Sequence, residues 1–215
     1  MSNMNIDDII KEFYTPGTPL YDIFMDHAEL VTRKSLAVAE RVKRNSESLK
    51  PAHLTGNEKA SDFNISKAVS PDMLFIEEAA MLHDIGIFMT HSPSIHCMGE
   101  HPYICHGFLG RKLLENIAPD GSLSRHALVC ERHTGAGITA ENIKSNALPL
   151  PCRDMVPETI EEQIICFADK FYSKKPEQAG VEKKAEQIVE ELLCLDHSHG
   201  KRFLGWLEQF SESKS

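Results

Sequence analysis

No stretch of this 215-residue chain approaches the roughly 18 consecutive apolar residues of a membrane helix. The opening segment, MSNMNIDDIIKEF, lacks the basic region and hydrophobic stretch of a secretory leader. The six cysteines, Cys97, Cys105, Cys130, Cys152, Cys166 and Cys194, form no C-x-x-C pair. They read as free thiols, several of them core-filling. Basic charge is also scarce: 23 Lys and Arg stand against 32 Asp and Glu, a net charge of −9. This excludes a general nucleic-acid or anionic-membrane binder, which needs a basic face. These absences predict a cytoplasmic protein with neither a membrane nor a nucleic-acid polymer as partner. A small phosphorylated ligand stays open, because bound metals would add positive charge outside this count.

Alternating apolar and polar runs, hairpin turns, internal repeats and low-complexity tracts are missing too. What is present is helical periodicity. A short helix is expected over about 5–14. A long one follows to about Asn45, with Thr18 as N-cap and Pro19 in its first turn. Residues 46–69 are polar and broken and read as a surface insertion. Further helices are expected from Ser70–Pro71 to Asp84 with Gly86 as the stop, and over about 102–117, 122–133, 157–174, 180–195 and 200–212. The predicted fold is an all-α bundle forming one domain, with a core over about 19–175.

Several of these helices bring titratable groups to their apolar sides. Along the long helix His27, Val31, Ser35, Val38 and Val42 share one stripe. His83 continues the stripe of Ile76, Ala79 and Ala80. His106 shares a face with Gly110, Leu113, Leu114 and Ile117, His133 with Val129 and Cys130, and Asp169 with Ile165 and Cys166. Burying several such groups together is costly unless something neutralises them, and a divalent metal does so. Four His and two Asp make a nitrogen–oxygen set suited to Mn, Fe, Co, Ni or Zn. His126 shares the His133 face and reads as a core residue, a supporting group or an alternative ligand. His91, His96 and His101 crowd the loop at 88–101, from which one would reach a ligand. The segment DHSHG at 196–200 reads as a polar turn.

The motif HDIG at 83–86, preceded by HAELVTRKSLAVAERV and followed by HGFLGRKLL, ERHTGAG and ADKFYSK, resembles the HD-domain superfamily of metal-dependent phosphohydrolases. The likeness is greatest to small stand-alone HDIG-type hydrolases and covers residues 20–175 or so. It implies an HD-type helical bundle in which His27, His83, Asp84 and Asp169 hold one metal. Asp84 would bridge to a second metal on His106 and His133. It implies a phosphohydrolase that cleaves a small phosphate ester, with a nucleotide as the expected case, by a metal-activated water. Asp84 would orient the water. Lys170 and Arg132 would contact the phosphoryl group, with Arg153 and His101 as further substrate contacts. Many members carry Lys three residues after the Asp of the pair, where this chain has Ile87. A mixed-valent di-iron oxygenase and a non-catalytic nucleotide-binding module are the rival readings of the same ligand set.

Overall fold

Thr18 and Pro19 do open the longest helix. In the computed structural model, which describes residues 5–48 and 70–210, α2 runs Pro19–Ser48. The Thr18 hydroxyl accepts the Tyr21 N–H at 3.3 Å. Before it lies α1, Ile6–Phe13, capped by the Asn5 side chain. From position 49 on, the expected insertion falls outside the described residues. The next helix, α3 at Met73–Leu82, starts later than expected, because Asp72 accepts the Phe75 N–H and acts as the cap. Then come α4 (His106–Ile117), α5 (Ser124–Arg132), α6 (Ala140–Ser145), α7 (Ile160–Asp169), α8 (Ala185–Leu195) and α9 (His197–Phe210). Only α6 was unforeseen. Thr139 and Asn142 build a reciprocal capping box that starts it.

The all-α expectation needs correction. The His-rich segment read as a loop holds a small mixed sheet of β1 (Thr90–Ser92), β2 (Cys97–Met98) and β3 (His101–Pro102), in the order β2-β1-β3. His91 pairs antiparallel with Met98, and Thr90 pairs parallel with His101. Strands of two or three residues are too short to show a two-residue alternation, so periodicity cannot announce them. The protein is mostly helical with this sheet appended.

Two apolar clusters form the core. Val31, Ile76, Val129, Ile165 and Phe203 belong to one, and Phe24, Ala28, Leu82, Ile85 and Leu114 to the other. Helices α2 and α3 contribute to both, and His27 lies on α2 between Phe24 and Ala28 of the second set, one turn before Val31 of the first. Gly86 has an ordinary helical φ of −87° rather than the left-handed one expected of a stop. A Cβ there would stand 2.3 Å from the His106 carbonyl oxygen and 2.5 Å from the Gly110 nitrogen. Glycine is needed because α4 packs directly on this backbone, and that packing carries His106 to Asp84. No described helix is long and apolar enough to cross a membrane.

Candidate functional site

Six side chains from five helices meet in the interior. His27 comes from the middle of α2. His83 caps α3 and Asp84 follows it. His106 opens α4, His133 caps α5 and Asp169 closes α7. All six are buried. Helix ends, rather than helix faces, supply most of the set.

Asp84 lies at the centre. Its Oδ2 is 3.3 Å from His27 Nε2 and 3.1 Å from His83 Nε2. Its Oδ1 is 3.4 Å from His106 Nε2 and 3.3 Å from His133 Nε2. Asp169 Oδ1 is 3.0 Å from His27 Nε2 and 3.5 Å from His83 Nε2. Within each of two groups, His27–His83–Asp84–Asp169 and Asp84–His106–His133, the ligand atoms lie within 4.8 Å of one another.

The backbone decides what these nitrogens offer. Nδ1 of His83, His106 and His133 stands 2.6, 2.7 and 2.7 Å from the carbonyl oxygens of Ala80, Tyr103 and Cys130. A carbonyl only accepts, so each Nδ1 carries the proton. In the neutral ring Nε2 is then left with a lone pair. Burial pushes His106 down to about 3 and also lowers His133, so both rings are neutral near pH 7. Their Nε2 atoms nevertheless face each other at 3.0 Å. Two lone pairs at that distance repel unless a cation lies between them. Orientation of imidazoles by second-nitrogen bonds to carbonyls is the usual support for metal ligands.

The other half of the cluster has more charge. Burial alone would lower His83, but Asp84 and Asp169 raise it to about 9. Burial alone would raise both carboxyl groups. Instead Lys174 and His83 hold Asp84 well below the usual carboxylate range, and Lys170 and Lys174 do so for Asp169. The Lys174 ammonium is 2.5 Å from Asp84 Oδ2. That is a close charge contact outside hydrogen-bond geometry, and neither Asp84 oxygen accepts a well-formed hydrogen bond. An anionic group so buried and so poorly bonded marks a binding centre more readily than a structural one.

A cavity of about 450 Å³ opens over this centre. Its lining includes His106, His133 and Asp169 together with Lys170, Lys174 and Lys183. A second, of about 330 Å³, reaches His27 from the other side of Ser173 and Lys174.

The six expected ligands are therefore brought together, and Lys170 lines the cavity, its ammonium donating to the His133 carbonyl at 3.1 Å. The remaining expected contacts stand elsewhere. Arg132 forks onto Glu162 at 2.9 and 3.0 Å and also meets Glu158. Arg153 is paired with buried Glu131, which Arg111 also reaches. His101 is exposed on β3, and His126 faces Glu78 at 3.3 Å. Lys174 had no expected role. It lies beyond the end of α7, where helical spacing no longer tells direction, although its five-residue separation from Asp169 was visible.

No protein-family model matches the chain, and no solved structure matches it. An uncharacterised protein of Methanocaldococcus jannaschii is 36% identical over 124 residues, 57% of this chain and 64% of that protein. A tRNA (cytidine(56)-2′-O)-methyltransferase of Picrophilus torridus is 38% identical over 102 residues, 47% of this chain and 25% of that enzyme. A protein of the same name from Thermoplasma volcanium is 32% identical over 109 residues, 51% of this chain and 28% of that enzyme. The chain thus spans just under two thirds of the first relative and about a quarter of each methyltransferase.

These relatives correct the expectations attached to the HDIG resemblance. The two with a named activity are tRNA methyltransferases. Neither membership of the HD superfamily nor a phosphohydrolase or di-iron oxygenase activity finds support in them. The same holds for a small phosphate ester as substrate and for one or two divalent transition metals as cofactor, since the relatives' named activity points to a methyl donor instead. A motif records which side chains converge, and one convergence serves unrelated chemistries. The exclusion of nucleic acid is corrected too. Net charge sums the whole chain, whereas Lys170, Lys174 and Lys183 gather at one cavity.

Proposed function

We propose that this chain works in tRNA modification, handling RNA at a lysine-rimmed cavity whose floor is a buried His/Asp cluster able to hold an ion. The observation that carries the reading is the 38% and 32% identity to the two tRNA 2′-O-methyltransferases. The geometry refines it. His27, His83, Asp84 and Asp169, with His106 and His133 sharing Asp84, form a set of lone pairs and carboxylates around ion-sized spaces. That suits a cation.

Methyl transfer to a ribose hydroxyl needs a methyl donor of the S-adenosylmethionine class. The centre does not fit that donor. It would have to admit a sulfonium and a nucleoside among ligand atoms that already lie within 4.8 Å of one another. We derive no methyl-transfer step at these residues. The chain's own part is to hold RNA: Lys170, Lys174 and Lys183 pair with Asp169, Asp84 and Glu191, and backbone phosphate would exchange for those carboxylates while an ion adds positive charge where the chain as a whole is acidic.

The test uses the full chain and an unmodified tRNA transcript. Metal content is measured before and after chelation, and binding is followed against salt. Metal-loaded protein is expected to bind the transcript. Affinity should fall with a log–log salt slope of about −2 to −3, as for three phosphates. Chelation should weaken binding at least tenfold. A protein that binds no tRNA in either form overturns the reading.

A further inference from the structure

Behind the main cavity lies another, of about 290 Å³, which shares Ile104, Thr134, Gly135 and Leu195 with it. Ile104, Ile138, Leu148 and Leu195 give it aliphatic walls, and Thr134, Asn142, Asn146, Asp196 and His199 bring polar atoms to it, Asn142 donating to Asp196 at 2.9 Å. The link to the centre is short. His133 is a ligand of the cluster, and Thr134 and Gly135 follow it directly, so the two spaces are separated by about 7 Å of chain at most.

His199 is built into this wall. It is 7% exposed. Its Nδ1 accepts the Ala136 N–H at 3.2 Å. Gly135 has a φ of +62°, and a Cβ there would meet the His199 ring at 2.6 Å, so the ring's approach depends on glycine. Burial and the Arg202 guanidinium push the imidazole down to about 4. The ring is therefore neutral, and with Nδ1 accepting, the proton sits on Nε2. That Nε2–H has no partner among the described residues. Arg202 fastens the same loop from α9 by donating to the carbonyls of Ala136 and Gly137.

We propose that this rear cavity receives a nucleobase, with the His199 Nε2–H donating to an in-plane acceptor of the ring and the attached ribose phosphate lying over the His/Asp centre. The four aliphatic side chains suit the flat faces of a base, the His199 donor with the amides of Asn142 and Asn146 suits its edge, and the short separation suits a ribose. The lysines on the far side of the ribose would take the phosphate. The phosphate end of this placement rests on the RNA reading of the main cavity. The base end does not. A base could arrive on an RNA chain or on a free nucleotide, and both present the same chemistry.

Calorimetric titration with cytidine 5′-monophosphate and with ribose 5-phosphate separates the base from the rest. Three variants are compared with the unaltered protein, each first checked by thermal melting. Leu148→Trp fills the cavity from its partly exposed edge. His199→Leu removes the donor, and His199→Gln restores an acceptor for Ala136 and a donor for the ligand. The nucleotide should bind at least tenfold tighter than ribose 5-phosphate. Leu148→Trp should abolish that advantage, His199→Leu should reduce binding about tenfold, and His199→Gln should recover most of it. Ribose 5-phosphate should be indifferent to all three. Equal binding of the two ligands, or full nucleotide binding by Leu148→Trp, overturns the proposal. A parallel arm with tRNA identifies the source: weakening by Leu148→Trp places an RNA base in the cavity, and weakening of the nucleotide alone places a free one there. Base-dependent nucleotide binding by a protein that ignores tRNA keeps this inference while ending the tRNA reading.

Discussion

Two buried carboxylates in this protein are treated in opposite ways. Glu131 is 2% exposed, and two guanidiniums, Arg111 and Arg153, close on it with short contacts at 2.6 and 2.5 Å. Asp84 is 1% exposed and faces four imidazole nitrogens and one ammonium, yet neither oxygen accepts a well-formed hydrogen bond. The first is a finished ion pair whose partners reach water at the rim. The second is an unfinished one. Buried charge with its hydrogen bonds satisfied is architecture, and buried charge that leaves lone pairs converging is a place for something else to bind.

The contrast is broken most forcefully at Asp84. Asp84→Asn removes the one carboxylate that both ligand groups share, and metal affinity should fall at least about 100-fold, beyond what loss of a supporting group does. Equilibrium dialysis against a metal buffer measures it, and wild-type uptake by the variant would erase the distinction from Glu131. Next in size is Glu131→Ala. It should cost about 3 kcal/mol, the low end for breaking a buried pair because both arginines can turn to water. Denaturant unfolding reads that loss, and metal uptake should be unchanged. If metal is lost as well, the two regions are one.

The pH dependence sharpens the comparison within the cluster. His83 is raised above its ordinary value to about 9. Its contribution to stability is fully present below about pH 6.5 and is lost as pH rises through about 9. His106 is lowered to about 3. The unfolded chain then takes up the proton first, and stability falls as pH drops from about 6.5 toward 3. Metal-free protein should therefore melt highest near pH 6.5, with limbs of up to about 1.4 kcal/mol per pH unit per group. His83→Gln should flatten the alkaline limb and His106→Gln the acid one. Unchanged limbs in both variants would show that other groups set the profile. The smallest effect belongs to the outlying residues. Arg153→Ala should change stability by well under 1 kcal/mol, its side chain being 42% exposed. His101→Ala should alter neither metal nor tRNA binding, and a tenfold loss in either would return His101 to the site.

Most helices could be read from the chain because apolar stripes, the Thr18 cap and the prolines act locally. The sheet at Thr90–Pro102 could not, since pairing of two-residue strands depends on partners and not on pattern. The convergence of these six side chains was legible because each member sits on an apolar face or at a helix end, where polar groups are conspicuous. The lysine that touches Asp84 was not, because Lys174 follows a helix end and its direction is set by the cavity it enters. Arg132 and Arg153 were misplaced for a related reason. Adjacency to a ligand in sequence does not say which carboxylate a long side chain will find, and Glu162 and Glu131 were nearer.

By itself the sequence determined that this chain buries imidazole and carboxylate groups among its helices. Covalent order and 3.6-residue periodicity are local properties, and they are enough for that. Only the tertiary structure decided that three Nδ1–H groups are anchored on carbonyls with their Nε2 atoms facing inward, that three lysines gather over an acidic chain, and that His199 closes a cavity behind His133. Those arrangements join residues up to 142 positions apart, as His27 and Asp169 are. Only packing such as the close approach of Gly86 to α4 can bring such residues within ångströms of each other.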